Sequence, residues 1–279
     1  MRMSYNNYKP IIWSKHIGRE LERALVFAGD CNRQYEGEVS KAGDTVRILG
    51  VGKPTVKTFK GITDITLDNA EVVGDTSTSL LIDTTSTFNY VVGDIDKRQA
   101  EGSIMEALST ESTQALANEM DVAIAELAND KLAVRADKTD TQLTEANILN
   151  YIDTQLEKLY VNDVTPNSEI IMTVPPWFYM LLKQAYVKLD TDNSAMLENG
   201  KVGKYGNVQV KMSNNVAKNS SGHSMIQLKT KKAIAFANPM THTEPYRPDN
   251  KFADCVKGFV LYGQKIVRPK EMIVMNCYK

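Results

Sequence analysis

One stretch constrains the fold more than any other. From Gln99 to Asn129 the chain carries no proline, lysine or arginine. Ile104, Leu108, Ser112, Leu116, Met120, Ala123 or Ile124, and Leu127 recur at intervals of three to four residues. That period puts them on one stripe of an α-helix, and the frequent alanines favour it. The spacing predicts a long helix over 95–131, spanning roughly 45 Å at ~1.5 Å per residue. The opposite face reads as acidic, with Glu101, Glu106, Glu111, Glu119, Asp121, Glu126 and Asp130. Two readings stay open for it: a solvated face, or a surface for a basic partner segment.

The residues before this helix have a different period. Thr45–Val51 reads as a short strand with Val46 and Ile48 on one side. In 76–92 the even positions include Leu80, Ile82, Phe88, Tyr90 and Val92, and the odd ones are mostly Ser, Thr, Asp and Asn, which predicts one half-buried strand. Gly52 to Gly74, with Pro54, Gly61 and Asp68-Asn69, reads as a long loop or irregular hairpin end. A strand pair of about 15 residues each reaches roughly 50 Å. A compact chain of 279 residues has a radius of gyration of only about 19 Å. Such an excursion therefore needs a neighbour to cover it. Residues 1–30 read as a polar start and a short amphipathic helix, with Ser14 as cap and Ile17, Leu21, Leu25 and Val26 at helical spacing.

After the long helix the pattern alternates. Residues 144–161 form an amphipathic helix on Ile148, Ile152, Leu156 and Leu159. Glu169–Val174 is a buried strand, and Pro175-Pro176 opens a third helix through about Leu189. A strand follows at Val208–Met212, and from Met225 the chain returns to strands at Ala233–Ala237, Cys255–Val267 and Met272–Met275. The end is basic, with Lys251, Lys257, Lys265, Arg268, Lys270 and Lys279 against Asp254 and Glu271. An acidic helix in the middle thus faces a basic strand region at the end.

Composition excludes several classes. Hydrophobic residues make up 42% and charged residues 24%, which supports a packed core without staples. A net charge of −1 argues against a protein that grips phosphate backbones along its whole surface. No apolar run approaches the roughly 20 residues that span a bilayer, and MRMSYNNYKP lacks the apolar core of a signal peptide. Cys31, Cys255 and Cys277 are odd in number and far apart, which points to free thiols in a reducing compartment.

No catalytic or metal constellation emerges, and no cofactor is expected. His16, His223 and His242 are scattered without metal-ligand spacing. Gly50-Val-Gly52 lacks the third glycine of a dinucleotide fingerprint, and in Gly200–Gly206 Lys204 is followed by Tyr205, so both read as mobile loops. Lys229, Lys231 and Lys232 read as a solvated strand entry, or alternatively as a contact for nucleic acid or a neighbouring chain. Cys31 reads as a buried, inert thiol.

The opening KPIIWSKHIGRELERALVFAGDCNRQYEGEVSKAGDTVRI (9–48) resembles the opening of major capsid (coat) proteins of tailed bacteriophages. EIIMTVPPWFYMLLKQA (169–185) and FANPMTHTEPYRPDNKFADCVKGFVLYGQKIVRPKEMIV, within 233–274, are similar to later parts of the same family. The resemblance covers nearly the whole chain. It implies an α+β capsid fold, shared with encapsulins and the herpesvirus shell floor. Residues 1–30 would be the N-arm, 31–94 the E-loop and its base, and 95–131 the spine helix of the P domain. Residues 132–240 would be mainly the α/β A domain, and 241–279 the return strands of the P domain.

The resemblance further implies a shell subunit without catalytic centre, synthesised and assembled in the host cytoplasm and ending in the virion. Implied partners are other copies in hexamers and pentamers, a portal protein, and packaged double-stranded DNA bound without sequence specificity. Because the family-like text starts near residue 8, a separate scaffolding protein is expected. Charge pairing suggests inter-subunit contacts at Glu101, Glu106, Glu111, Lys53, Lys57, Lys60, Lys265, Arg268 and Lys270. The alternatives are an encapsulin-type nanocompartment shell and a cytoplasmic α/β enzyme using Cys31 or the Gly200–Gly206 loop.

Overall fold

The computed structural model describes residues 25–35, 45–51, 75–93, 104–136, 140–188, 203–249 and 252–279. The expected helix of 14–26 before Leu25, the loop of 52–74, and residues 200–202 lie outside them.

Three sheets organise the chain. The first is a two-stranded ladder of β1 (Thr45–Val51) and β2 (Asp75–Leu81), antiparallel over seven pairs from Thr45↔Leu81 to Val51↔Asp75. Among its described side chains Val46, Ile48 and Leu80 are buried. The single strand expected over 76–92 is in fact two strands. The chain breaks at Ile82-Asp83 and resumes as β3 (Thr84–Gly93) in a different sheet. Along β3 the even positions face inward as the alternation predicted.

The crossing at the break is tight. Gly263 sits against it, and a methyl group there would overlap the Leu81 carbonyl and lie 3.1 Å from Ile82 Cα. Close backbone approach at this crossing requires a residue without Cβ. Buried Ile82 joins Val46, Ile48, Leu80, Ala235, Ala237 and Leu261 in one apolar cluster beneath the crossing.

The second sheet has the order β10-β11-β3, all antiparallel, with β10 (Ile234–Tyr246) and β11 (Ala253–Ile266). β10 shifts register between Ala237 and Met240, across Asn238-Pro239. Proline has no N–H to give the ladder, so a bulge is the local solution. Helix α1 (Ile104–Glu126) packs on β3 and β11 and ends in a 3-10 turn at Leu127–Asn129. Its 23 residues span about 35 Å, and 95–103 lie outside the described residues. The buried stripe runs through Ser109, Thr113, Leu116, Ala117, Met120, Asp121, Ile124, Ala125 and Ala128. It is rotated from the expected one, because Leu108 and Ser112 are only half-buried. Thr113 and Ser112 satisfy their hydroxyls on the carbonyls four residues back.

The third sheet holds seven strands, in the order β4-β12-β9-β6-β8-β7 with β5 also on β12. Its members are β4 (Val134–Arg135), β5 (Thr141–Gln142), β6 (Ile170–Val174), β7 (Lys204–Tyr205), β8 (Val208–Met212), β9 (Ser224–Thr230) and β12 (Met272–Tyr278). β6 and β8 are parallel and joined through α3 (Pro176–Lys188). That is the strand–Pro–helix unit read from the sequence. Helix α2 (Ile148–Val161) buries Ile148, Ile152, Leu156 and Leu159, the expected face. The last strand, β12, pairs with β9 in this sheet. Gln227 of β9 donates to the carbonyls of Ile124 (3.1 Å) and Ala125 (3.0 Å). It thereby satisfies carbonyls near the end of α1 and ties the helix to the seven-stranded sheet.

Candidate interaction surface

The N-terminal segment enters the core at residues 25–32, held by a polar clamp. A short 3-10 turn at Ala28–Asp30 leaves the N–H groups before it without partners. Asp121 of α1 accepts them from Val26 (2.8 Å), Phe27 (2.9 Å) and Ala28 (3.2 Å). Burial pushes the Asp121 carboxyl above its ordinary value, against the pull of these N–H groups. On the other side Lys211 of β8 pairs with buried Asp30 at 2.6 Å. Lys229 of β9, fully buried, donates from Nζ to the Asp30 carbonyl at 3.0 Å and contacts Cys31 Sγ at 3.2 Å. Asn32 then joins the edge of β10 through Ile234 and Phe236.

Two expectations change here. Asp121 is part of the buried stripe, not of an acidic outer face. Lys229 is a core residue, not a solvated strand entry. Spacing contained the first signal, because 113, 117, 121, 124 and 128 continue one helical stripe. Every residue of β9 is buried, so alternation carried no signal for the second.

A cleft of about 590 Å³ opens beside the clamp. Cys31 lines it together with Arg33, Lys231, Lys232 and Arg268, where the segment faces β1, β2 and the end of β11. The charge is partly answered: Lys231 pairs with Glu169 at 2.9 Å, and Arg268 with Glu271 at 2.8 Å. Exposed pairs of this kind are worth only about 0–1 kcal/mol each.

The other residues expected at subunit contacts are distributed as follows. Glu111 is exposed on α1, and Glu106 lies in the first turn of that helix. Glu101, Lys53, Lys57 and Lys60 lie outside the described residues. Lys265 of β11 donates to the Ser79 carbonyl at 2.8 Å, stitching the second sheet to the first. Lys270 lies in the 3-10 turn Pro269–Glu271 just after Arg268. Lys265, Arg268 and Lys270 thus share one end of β11.

His223 forms a second cluster. Its Nδ1 contacts Asp140 Oδ2, which also accepts Asn219 Nδ2 at 2.9 Å, and its ring stacks on Tyr278 with centroids 4.3 Å apart. The His223 contact, and then that of Asn219, holds the Asp140 carboxyl below its ordinary value. His242 lies against Phe259, and His16 is outside the described residues. Of the two glycine patterns read as loops, the first departs from that reading. Gly50 lies within strand β1, and Gly206, at φ +58°, makes the tight turn between β7 and β8. Cys31, Cys255 and Cys277 are free and buried. Among the described residues no three His, Cys, Asp or Glu side chains gather as a metal site. No described helix is long and apolar enough to cross a membrane.

The architecture has close counterparts among solved structures. One of Mycobacterium phage Che8 superposes with TM-score 0.75 at 29% identity, covering 90% of this chain and 91% of that chain. The capsid structure of cyanophage P-SCSP1u gives TM-score 0.68 at 15% identity over 86% and 85%. The mature capsid of bacteriophage PhiM1 gives 0.66 at 17% over 91% and 87%. A virus-like particle from Pyrococcus furiosus gives 0.58 at 8% over 95% and 98%. No protein-family model and no curated protein matches the chain.

Proposed function

We propose that this chain, which has the fold of tailed-phage capsid proteins, is a major capsid protein. It is the subunit of an icosahedral head around the double-stranded DNA of a tailed phage or prophage. The observation that carries this is the near end-to-end superposition on the Che8 structure at 29% identity. The capsids of P-SCSP1u, PhiM1 and Ralstonia phage GP4 support it through the same fold.

Copies of the chain are its principal partner, arranged as hexamers and pentamers. A separate scaffolding protein guides assembly, a portal protein occupies one vertex, and DNA is enclosed without sequence-specific contact. Residues 1–30 serve as N-arm, 31–94 as E-loop with its base, and 95–131 as spine. Residues 132–240 make up most of the A domain and 241–271 return to the P domain, while β12 (Met272–Tyr278) joins the seven-stranded sheet beside β9. The chain is made and assembled in the host cytoplasm and works in the virion. It has no catalytic role. Net charge near zero suits a wall that must hold DNA and later release it.

Charge complementarity contributes between subunits. The acids Glu101, Glu106 and Glu111, of which Glu111 is exposed on α1, meet basic groups from Lys53, Lys57 and Lys60 or from Lys265, Arg268 and Lys270. Each pair is weak, but repetition over a shell makes assembly sensitive to salt.

The test is sedimentation velocity with electron microscopy of the fastest species, on the chain alone and co-expressed with its neighbouring reading frames. Closed particles of megadalton mass support the shell. Small oligomers in both preparations would overturn it in favour of an α/β enzyme. Closed particles holding a cargo enzyme, with no portal, would indicate an encapsulin-type compartment.

A further inference from the structure

The contact between Lys229 and Cys31 is unusual in kind. It joins a primary amine and a thiol, both buried, 198 residues apart in sequence. Lys229 Nζ donates to Cys31 Sγ at 3.2 Å as well as to the Asp30 carbonyl at 3.0 Å. Backbone on both sides holds the pair in place: Lys229 in the middle of the seven-stranded sheet, and Cys31 by the Asp121 clamp and the Asn32 bridge to β10. A separate observation supplies access, because Cys31 also lines the basic cleft. A third supplies a proton acceptor. Asp30, the residue before Cys31, pairs through Oδ1 with Lys211 and has its Oδ2 buried without a hydrogen-bond partner.

We infer that Cys31 and Lys229 form an oxidative covalent cross-link when a peroxide enters the cleft. The sulfur attacks one peroxide oxygen; the S–O bond forms, the O–O bond breaks, and water leaves with the thiol proton, giving a sulfenic acid. The Lys229 amine, once deprotonated, attacks this sulfur. The S–N bond forms, the S–O bond breaks, and the hydroxyl departs with an amine proton as a second water. A second peroxide equivalent can instead act on the amine: the N–O bond forms and the O–O bond breaks with loss of water, and the resulting hydroxylamine oxygen attacks the sulfenic sulfur, forming S–O and expelling the sulfenic hydroxyl as a further water, which leaves an S–O–N bridge. Either product joins the root of the N-terminal segment to β9. A thiol reductant returns the direct S–N product to thiol and amine.

Two features set the rate. Burial raises the Cys31 thiol and slows formation of the reactive thiolate, while the Lys229 charge works in the opposite direction. The bridge is therefore slow, and stays unmade in a reducing interior. It belongs to the subunit and does not depend on the shell assignment. If the chain sits in a particle released to an oxidising medium, the bridge locks the arm root after assembly.

The experiment treats the purified, reduced full chain with hydrogen peroxide and follows intact mass and a tryptic map. The expected product loses about 2 Da, or gains about 14 Da with the retained oxygen. It contains one linked peptide holding Cys31 and Lys229, with trypsin no longer cutting after Lys229. Its Tm rises, and Cys31→Ser and Lys229→Arg abolish the linked peptide. If either variant fails to fold, the wild-type linked peptide decides alone. The proposal is overturned by Cys31 carrying two or three oxygens with Lys229 recovered free. It is equally overturned by an unmodified Cys31 once the exposed Met180 and Met212 have become sulfoxides.

Discussion

The carboxylate of Asp121, near the C-terminal end of α1, accepts the backbone N–H of Phe27 at 2.9 Å from 94 residues away in sequence. The same carboxylate takes the neighbouring N–H groups of Val26 and Ala28. A helix that packs on one sheet thus also fixes where the N-terminal segment enters the core. Phe27 and Ala28, both fully buried, are the apolar half of that anchor.

Asp121→Ala leaves three backbone donors without their acceptor. At about 1–3 kcal/mol for each buried unpaired group, partly offset by local rearrangement, a loss of about 3 kcal/mol is expected. Asp121→Asn keeps one acceptor oxygen and loses less. Urea unfolding of the full chain measures both, and equal effects would show that the carboxylate is not what holds the segment.

Gly263→Ala tests the sheet crossing. The added methyl meets the Leu81 carbonyl, which is backbone and cannot swing aside. A cost of about 1–3 kcal/mol is expected, typical of overpacking. Gly258→Ala instead meets the ring of Phe88 and the carbonyl of His242. Unchanged unfolding midpoints in Gly263→Ala would refute the close approach.

The Asp140 carboxyl is held below its ordinary value of 3.8, first by His223 and then by Asn219. A lowered folded-state value means the charged form is favoured by folding. The associated stability is present above 3.8 and is lost as pH falls through the folded-state value. Asp140→Asn should therefore lower Tm at pH 7, with the difference from wild type closing on acidification below 3.8. A difference independent of pH would assign the effect to packing.

The β1–β2 register closes on Val51↔Asp75, so residues 52–74 connect two paired strand ends. Replacing them with an Asn-Gly turn should leave a folded subunit, because a two-residue loop suits an antiparallel pair. The shortened chain should fail to form shells. Circular dichroism and sedimentation separate the outcomes, and loss of secondary structure would place the segment in the core.

Leu116→Asp and Glu111→Lys separate folding from assembly. Leu116 is buried on α1, so a charge there should unfold the subunit. Glu111 is exposed, so its reversal should leave thermal unfolding unchanged yet impair shell formation. Normal shells from Glu111→Lys would remove the electrostatic contribution of this face.

The sequence by itself determined the elements whose burial follows a single local period. Ile148, Ile152, Leu156 and Leu159 face the core because one helix face meets one sheet. Val46, Ile48 and the even positions of β3 face inward because a pleat alternates. The strand–Pro–helix unit at 170–188 was legible for the same reason, while the likeness to capsid proteins rested on the wording of 9–48, 169–185 and 233–274 and not on any period. Only the tertiary structure decided the rest. Nothing local distinguishes a β strand that continues from one that changes sheets; the break at Ile82-Asp83 follows from the different partners on either side of it, β1 before and β11 after, with Gly263, 181 positions later, leaving room for the crossing. Asp121 and Lys229 read as surface charges because charged groups are rarely buried alone. Their partners, the N–H groups of 26–28 and the carbonyl of Asp30, come from a segment 93 to 199 residues away. Burial of a charge is a property of the groups that answer it, and those groups meet only when the chain has folded.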